Sequence, residues 1–274
     1  SVMRLLPRPM GEINGGSIFF EGKDLLKLTP DEMRQVRGNE IGMIFQEPMN
    51  ALNPVRSIGD QISESFLLHQ DITHKEAWQK SIEMLEEVGI PAPENRVFEY
   101  PHQLSGGMRQ RVVIAIALAC KPRLIIADEP TTALDVTVQS QILDLLQSLK
   151  EKLGSSVLLI THDLGVIAET CDEVCVMYAG RMVERAPVKE LFASPVHAYT
   201  RGLLSSIPRL DGIPKTELST IDGMVPSLSE LNSGCRFAPR SGSEHTMEQL
   251  EKRPPFIEIN SGHWVEACPV CSSP

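Results

Sequence analysis

Leu124-Ile125-Ile126-Ala127-Asp128-Glu129-Pro130 is the stretch on which the fold turns. Its apolar residues follow one another without alternation, which is the pattern of a strand covered on both faces of a parallel sheet. Two carboxylates then stand where the chain leaves the sheet. A carboxylate at a strand tip can hold Mg²⁺, directly or through water, while its neighbour polarises an attacking water. Upstream lies Leu104-Ser105-Gly106-Gly107-Met108-Arg109-Gln110-Arg111, a small-residue turn opening a helix. Backbone N–H groups at such an opening are unpaired and sit at the positive end of the helix dipole, an arrangement suited to a phosphate.

Working outward, the 274 residues suffice for one large domain, or one with an appendage. A hydrophobic content of 42% with 23% charged residues is ordinary for a globular chain. The longest apolar run, Val112 to Cys120, has nine residues. That is well short of the ~18–20 needed to span a bilayer. A net charge of −10 argues against a nucleic-acid surface. Six scattered cysteines do not form a disulfide framework, so free thiols in a reducing compartment are expected.

Ser1 to Leu6 reads as the end of a helix stopped by Pro7 and Pro9, and Gly15 to Gly22 as a strand entering a turn. Asp31 to Arg37 is a short helix, and Ile41 to Phe45 is a buried strand that delivers Gln46. Ile58 to His69 and Lys75 to Val88 carry helical spacing, with Ile72-Thr73 as turn and cap. The helix from about Ser105 to Cys120 should face solvent or ligand at its start and be buried beyond it. Val138 to Leu153 is an amphipathic helix with Gly154 as its C-cap. Ser156 to Thr161 reads as another buried strand, delivering His162. Val174 to Tyr178 and Met182 to Glu184 form a hairpin turned by Ala179-Gly180-Arg181. Pro187 to Phe192 ends the core, and His197 to Leu204 is a short helix. Beyond it Pro208, Pro214, Pro226, Pro239 and Pro254-Pro255 break up the chain.

LSGGMRQR and LIIADEP, in that order, closely resemble the signature motif and Walker B strand of the ATP-binding-cassette (ABC) family. The resemblance implies an α/β fold: a P-loop NTPase (RecA-like) core with an inserted helical subdomain. Gln46 then resembles the Q-loop glutamine, Ala133-Leu134-Asp135 the D-loop, and His162 the switch histidine. In family terms Asp128 and Gln46 are metal residues, and Glu129, His162 and Gln46 are catalytic. Ser105, Gly106, Gly107, Gln110 and Asp135 are nucleotide-binding residues. The segments from Pro195 to Pro208 and from Gly234 to Arg240 resemble the C-terminal extension of oligopeptide and dipeptide importers. The implied division is a partial core at 1–52, a helical subdomain at 53–117, the second half of the core at 118–194, and an irregular extension at 195–274.

Two departures from the family stand out. No G-x-x-x-x-G-K-[ST] occurs in the 274 residues, and Ser1 to Pro7 resembles the second half of the helix after a Walker A loop. A chain whose N-terminal segment is missing is therefore expected, one that does not bind ATP normally by itself. In the tail, many relatives carry four cysteines able to hold an iron–sulfur cluster. Here Cys235 and Cys268 match, Ser241 stands where another cysteine is expected, and Cys271 is extra. Ordinary thiols are the expectation, without a cluster.

The resemblance implies the ATPase subunit of an ABC importer for oligopeptides or dipeptides, using ATP and Mg²⁺. It would be peripheral on the cytoplasmic side of the cell membrane. Its partners would be transmembrane permease subunits, a second ABC ATPase subunit (identical or a paralogue) and, indirectly, a substrate-binding protein, with no nucleic acid. The alternative is a truncated, non-catalytic subunit that only pairs with an intact ATPase. ABC proteins of DNA repair or translation carry two cassettes or zinc-binding insertions, and neither is read here.

Overall fold

A computed structural model describes residues 1–7, 11–207 and 220–272. The chain divides into two compact units, Ser1–His162 and Asp163–Pro274.

The first unit opens with a two-stranded antiparallel ribbon, β1 (Phe19–Phe20) and β2 (Lys23–Asp24), turned by Glu21 and Gly22 at positive φ. Helix α1 (Pro30–Val36) follows, its start fixed by a reciprocal capping box between Thr29 and Glu32. Three parallel strands then form the central sheet: β3 (Ile41–Ile44), β4 (Leu124–Asp128) and β5 (Ser156–Ile160), in the order β3-β4-β5. Between β3 and β4 run the short α2 (Pro48–Ala51), then α3 (Ile58–His69), α4 (His74–Glu87), the single turn α5 (Pro93–Arg96) and α6 (Gly106–Leu118). Helix α7 (Val136–Leu153) connects β4 to β5, and Gly154 at φ 65° ends it.

Strand β4 lies in the middle, and its two faces serve two cores. Ile125 and Ala127 join Ile44, Ile58, Ile62, Ile114 and Ile142 on one side. Ile126 joins Met3, Leu25, Met33, Val36 and Ile41 on the other. Each fully buried side chain of this kind contributes roughly 1.5–3 kcal/mol of transfer free energy. That double coverage explains why the strand's sequence shows no alternation. Helix α6 presses closely on β3: a Cβ on Gly42 would lie 2.3 Å from the Ala117 carbonyl oxygen. Only glycine fits there.

Two expectations are corrected in this unit. Residues 1–7 form a turn, with Arg4 at φ 50° and its N–H donating to the Ser1 carbonyl, instead of a helix end. Burial of Met3 holds the segment in this conformation. Strand β5 is only half-buried: Val157 and Leu159 pack on the core, while Leu158 and Ile160, on the opposite face, are exposed.

The second unit begins with α8 (Leu164–Thr170), capped by Asp163. Strands β6 (Glu173–Tyr178) and β7 (Arg181–Pro187) form the expected hairpin, with Ala179 and Gly180 both at positive φ as a tight primed turn requires. Helices α9 (Val188–Ala193), α10 (Ala198–Ser205) and α11 (Met247–Glu251) follow. The tail is less irregular than its prolines suggest. Strands β8 (Phe256–Asn260) and β9 (His263–Glu266) pair and extend the hairpin into an antiparallel sheet of order β6-β7-β9-β8. Pro254 and Pro255 precede β8, where no ladder N–H is required of them. Pro9, Pro208 and Pro214 lie outside the described residues.

Candidate active site

Parallel strands in register bring their carboxyl ends to one edge of a sheet. Ile44 pairs with Ala127, and Asp128 with Ile160. Gln46 follows β3 by two residues, Glu129 follows β4 directly, and His162 follows β5 by two. The alignment delivers all three to one point. Glu129 Oε2 accepts a hydrogen bond from Gln46 Nε2 at 2.9 Å, and His162 Nδ1 lies 3.2 Å from Glu129 Oε1. Of the three residues that the sequence nominates as catalytic, Gln46 and His162 therefore both contact the third, Glu129. Asp128, at the last position of β4, is half-buried beside them in the chain.

Thr132 was not nominated, yet its hydroxyl makes the shortest of these contacts, donating to Glu129 Oε2 at 2.7 Å. The signal was its spacing: the chain turns at once after Asp128-Glu129-Pro130, which returns a residue three positions on to the carboxylate. Glu129 itself is held at φ 45° while its N–H donates to the Ile160 carbonyl at 2.8 Å. A non-glycine residue in the left-handed region is strained, and such strain concentrates at functional positions. The Thr132 hydroxyl first, then His162, with Gln46 adding to them, hold the Glu129 carboxyl below the usual carboxylate value. The group is ionised at neutral pH, as a base must be. Gln46 and His162 are exposed, the latter with 78% of its side chain accessible, so both can move without disturbing a core.

The signature turn forms a separate feature of the same unit. Ser105 caps α6 by accepting the Met108 N–H, and Ser105 and Gly106 are exposed. Gly107 packs against α7: a Cβ there would meet Val138 Cγ1 at 2.9 Å. Asp135 caps α7 by accepting the Val138 N–H at 3.0 Å, so the D-loop and the signature turn share Val138 as a neighbour. The basic residues of the motif are spent on architecture. Arg109 donates to the Pro101 carbonyl and Arg111 to the Val88 carbonyl, tying α6 to its flanking loops. Gln110 is buried, and its Nε2 has no hydrogen-bond partner among the described residues. The helix thus turns inward one residue earlier than its polar start suggests.

Hard oxygen donors at Asp128 and Gln46 suit Mg²⁺, and the exposed Ser105-Gly106 opening of α6 suits a phosphate. The donor chemistry fits a metal–nucleotide complex.

A parallel sheet with this residue set at its carboxyl edge defines a nucleotide-binding cassette, and the chain belongs to the ABC transporter family. The family model "ABC transporter" matches residues 3–132, and "Oligopeptide/dipeptide transporter, C-terminal region" matches residues 183–245. The chain is 50% identical over 267 residues to the oligopeptide transport ATP-binding protein OppD of Bacillus subtilis, covering 97% of this chain and 74% of that protein. It is 52% identical over 274 residues to a putative peptide import ATP-binding protein of Brucella melitensis, covering 96% of this chain and 80% of that protein. Among solved structures, a dimeric post-hydrolysis state of the cassette MJ0796 bound to ADP and Pi superposes with a TM-score of 0.58. The two are 28% identical, over 65% of this chain and 76% of that one.

Proposed function

We propose that this chain is the ATPase subunit of a peptide importer and that Glu129 is its general base. The contact of Gln46, Thr132 and His162 with one strand-tip carboxylate carries this reading. Both Glu129 oxygens are occupied as the chain stands. A water can be polarised only when a mobile donor, Gln46 or His162, lets go, while Thr132 keeps the carboxylate aimed. Asp128 and Gln46 would hold Mg²⁺, which neutralises phosphate charge when bound. His162, once released, is placed to donate to a terminal phosphate.

The exposed Ser105 and Gly106, with Gly107 and the adjoining Asp135, would face nucleotide held by a second ABC subunit, identical or a paralogue. Gln110, buried behind them, supports the turn. The dimeric MJ0796 cassette supports such pairing. Among the described residues no helix is long and apolar enough to cross a membrane. From the peptide-importer relatives we infer a peripheral subunit at the cytoplasmic face, docked on transmembrane permease subunits that receive peptide from a substrate-binding protein. A groove lined by exposed Val55, Phe98 and Tyr100 supports that docking. Oligopeptides and dipeptides are the inferred cargo, as the names of the relatives indicate.

A second reading, carried over from the sequence, is a non-catalytic partner of an intact ATPase. One experiment separates the two. ATPase activity is measured for the chain alone, then mixed with a complete paralogue, with and without Ser105→Arg in this chain. Activity from the chain alone removes the second reading. Activity only in the mixture, lost with Ser105→Arg, means that this chain lends its signature turn to the partner's site. Equal activity of both mixtures contradicts a composite site.

A further inference from the structure

Three cysteines and a histidine far apart in the tail converge on one point. The ligand atoms of Cys235, His245, Cys268 and Cys271 all lie within 4.8 Å of one another. Cys235 Sγ and Cys271 Sγ are 3.6 Å apart, and His245 Nε2 lies 3.5 Å from Cys268 Sγ and 3.4 Å from Cys271 Sγ. All three cysteines are buried and none is in a disulfide. We propose that these four residues hold a single Zn²⁺ ion in a closed, structural site.

The geometry carries the assignment. Zinc–sulfur bonds of about 2.3 Å and zinc–nitrogen bonds of about 2.0–2.1 Å give tetrahedral edges of about 3.8 Å between sulfurs and about 3.5 Å between sulfur and nitrogen. The three measured edges match those of one tetrahedral ion. An iron–sulfur cluster fits poorly. Its usual ligands are four cysteine thiolates, whereas this set has three and an imidazole. It also interposes several irons and sulfides, spreading ligands on different irons beyond the spacing seen. Ser241, which stands where the family resemblance puts a cysteine, is engaged elsewhere: its hydroxyl donates to the Ala238 carbonyl and accepts the Ser243 N–H.

That Ser241 turn sets up the fourth ligand. His245 Nδ1 lies 3.1 Å from the Ser243 carbonyl oxygen, which can only accept, so the proton sits on Nδ1. The Nε2 lone pair is left facing the sulfurs. An outer hydrogen bond to a backbone carbonyl is the usual means of fixing the tautomer of a metal-bound histidine.

The surroundings are equally specific. The Gly234 and Cys235 N–H groups donate to the Leu250 and Gln249 carbonyls, and the Ala198 N–H to the Cys271 carbonyl. The ion would thus tie the loop before α11 and the chain after β9 to the start of α10. Arg181 donates to the Gly234 carbonyl at 2.7 Å and is electrostatically coupled to Cys235, supplying positive charge beside a site of three thiolates and one Zn²⁺. Binding displaces three thiol protons to solvent, while the imidazole enters neutral. Four protein ligands leave no open position, so the site is not catalytic.

The test uses the complete chain, purified without added metal or affinity histidines. Elemental analysis should find one zinc per chain and no acid-labile sulfide. Exchange for Co²⁺ should give the intense visible bands of a tetrahedral thiolate site. His245→Ala should weaken zinc by more than about 100-fold, since loss of even an outer partner costs 10–100-fold. Ser241→Cys and His245→Cys should each keep one zinc, and only the latter should alter the cobalt charge-transfer bands. Stoichiometric iron with sulfide, metal-free protein bearing a Cys235–Cys271 disulfide or three alkylatable thiols, or unchanged zinc affinity in His245→Ala would each overturn the proposal.

Discussion

The Glu129 cluster and the Cys235 cluster are both groups of four side chains, yet they are assembled by opposite means. In the first, every member stands within a few residues of the carboxyl end of a parallel strand; strand register brings Gln46, Glu129 and His162 together, and the turn after β4 returns Thr132 to them. In the second, no member lies in a helix or strand, and the ligands come from loops spread between residues 235 and 271. The first is half-exposed and keeps two of its donors at the surface. The second is mostly buried and, with an ion, closed. On the proposed roles, the contrast is between a site that exchanges water and one that holds a fold. Rigid strands position groups that must move slightly. A metal substitutes for the core that a short irregular segment cannot supply.

The largest effect that could break this comparison is removal of the ion. A strong chelator should abolish hydrogen-exchange protection around the Cys235 N–H and α11, while β3, β4 and β5 stay protected. Structural zinc sites contribute apparent free energies of about 10–16 kcal/mol in small domains, so local loss should be complete. Equal loosening of both units would mean that the ion is not confined to a structural role in the tail.

A smaller effect sharpens the strand side. Gly42→Ala pushes a methyl against the Ala117 carbonyl, a backbone atom that cannot turn aside. It should cost about 1–3 kcal/mol by overpacking, read as a lower denaturation midpoint of the first unit with unchanged metal content. A neutral result would show that α6 is free to slide on β3.

The smallest expected effect concerns Thr132. Its hydroxyl is the first cause of the lowered Glu129 carboxyl, and a carboxyl lower in the folded than in the unfolded state adds stability above its unfolded value. That stability fades as pH falls through the folded value. Thr132→Val should therefore cost about 1 kcal/mol or less at neutral pH for this partly exposed group. The gap to the parent should close under acid. A constant gap across pH would assign the loss to packing instead of to the carboxylate.

These differences also explain what was legible in the sequence. Gln46, Asp128, Glu129 and His162 could be read because each stands at or just after an apolar run that reads as a strand, and the resemblance to the ABC family then supplied their roles. Helices α3, α4 and α7 were legible from spacing and caps such as Thr73 and Gly154. Thr132 was hidden because its role depends on a turn at positive φ, which composition does not signal. His245 was hidden because nothing local marks it: its meaning depends on the Ser241 turn and on the folding back of Cys268-Pro269-Val270-Cys271. The two-residue gap between those cysteines was the available clue. The β8–β9 hairpin was masked by Pro254-Pro255, although Phe256 to Glu266 is apolar and β-branched enough to pair. The half-exposure of β5 was not legible, since an apolar run does not say whether both of its faces are covered.

The most direct measurement of the central claim is Glu129→Gln in the ATPase assembled with its partner subunit, read for hydrolysis, nucleotide binding and zinc content together. The substitution keeps size and hydrogen-bonding capacity while removing the charge that polarises water. Hydrolysis should fall by ~10²–10⁴, the scale of a lost general base, with ATP still bound and one zinc per chain retained. Near-normal turnover would contradict the assignment of Glu129 as the base at the strand tips.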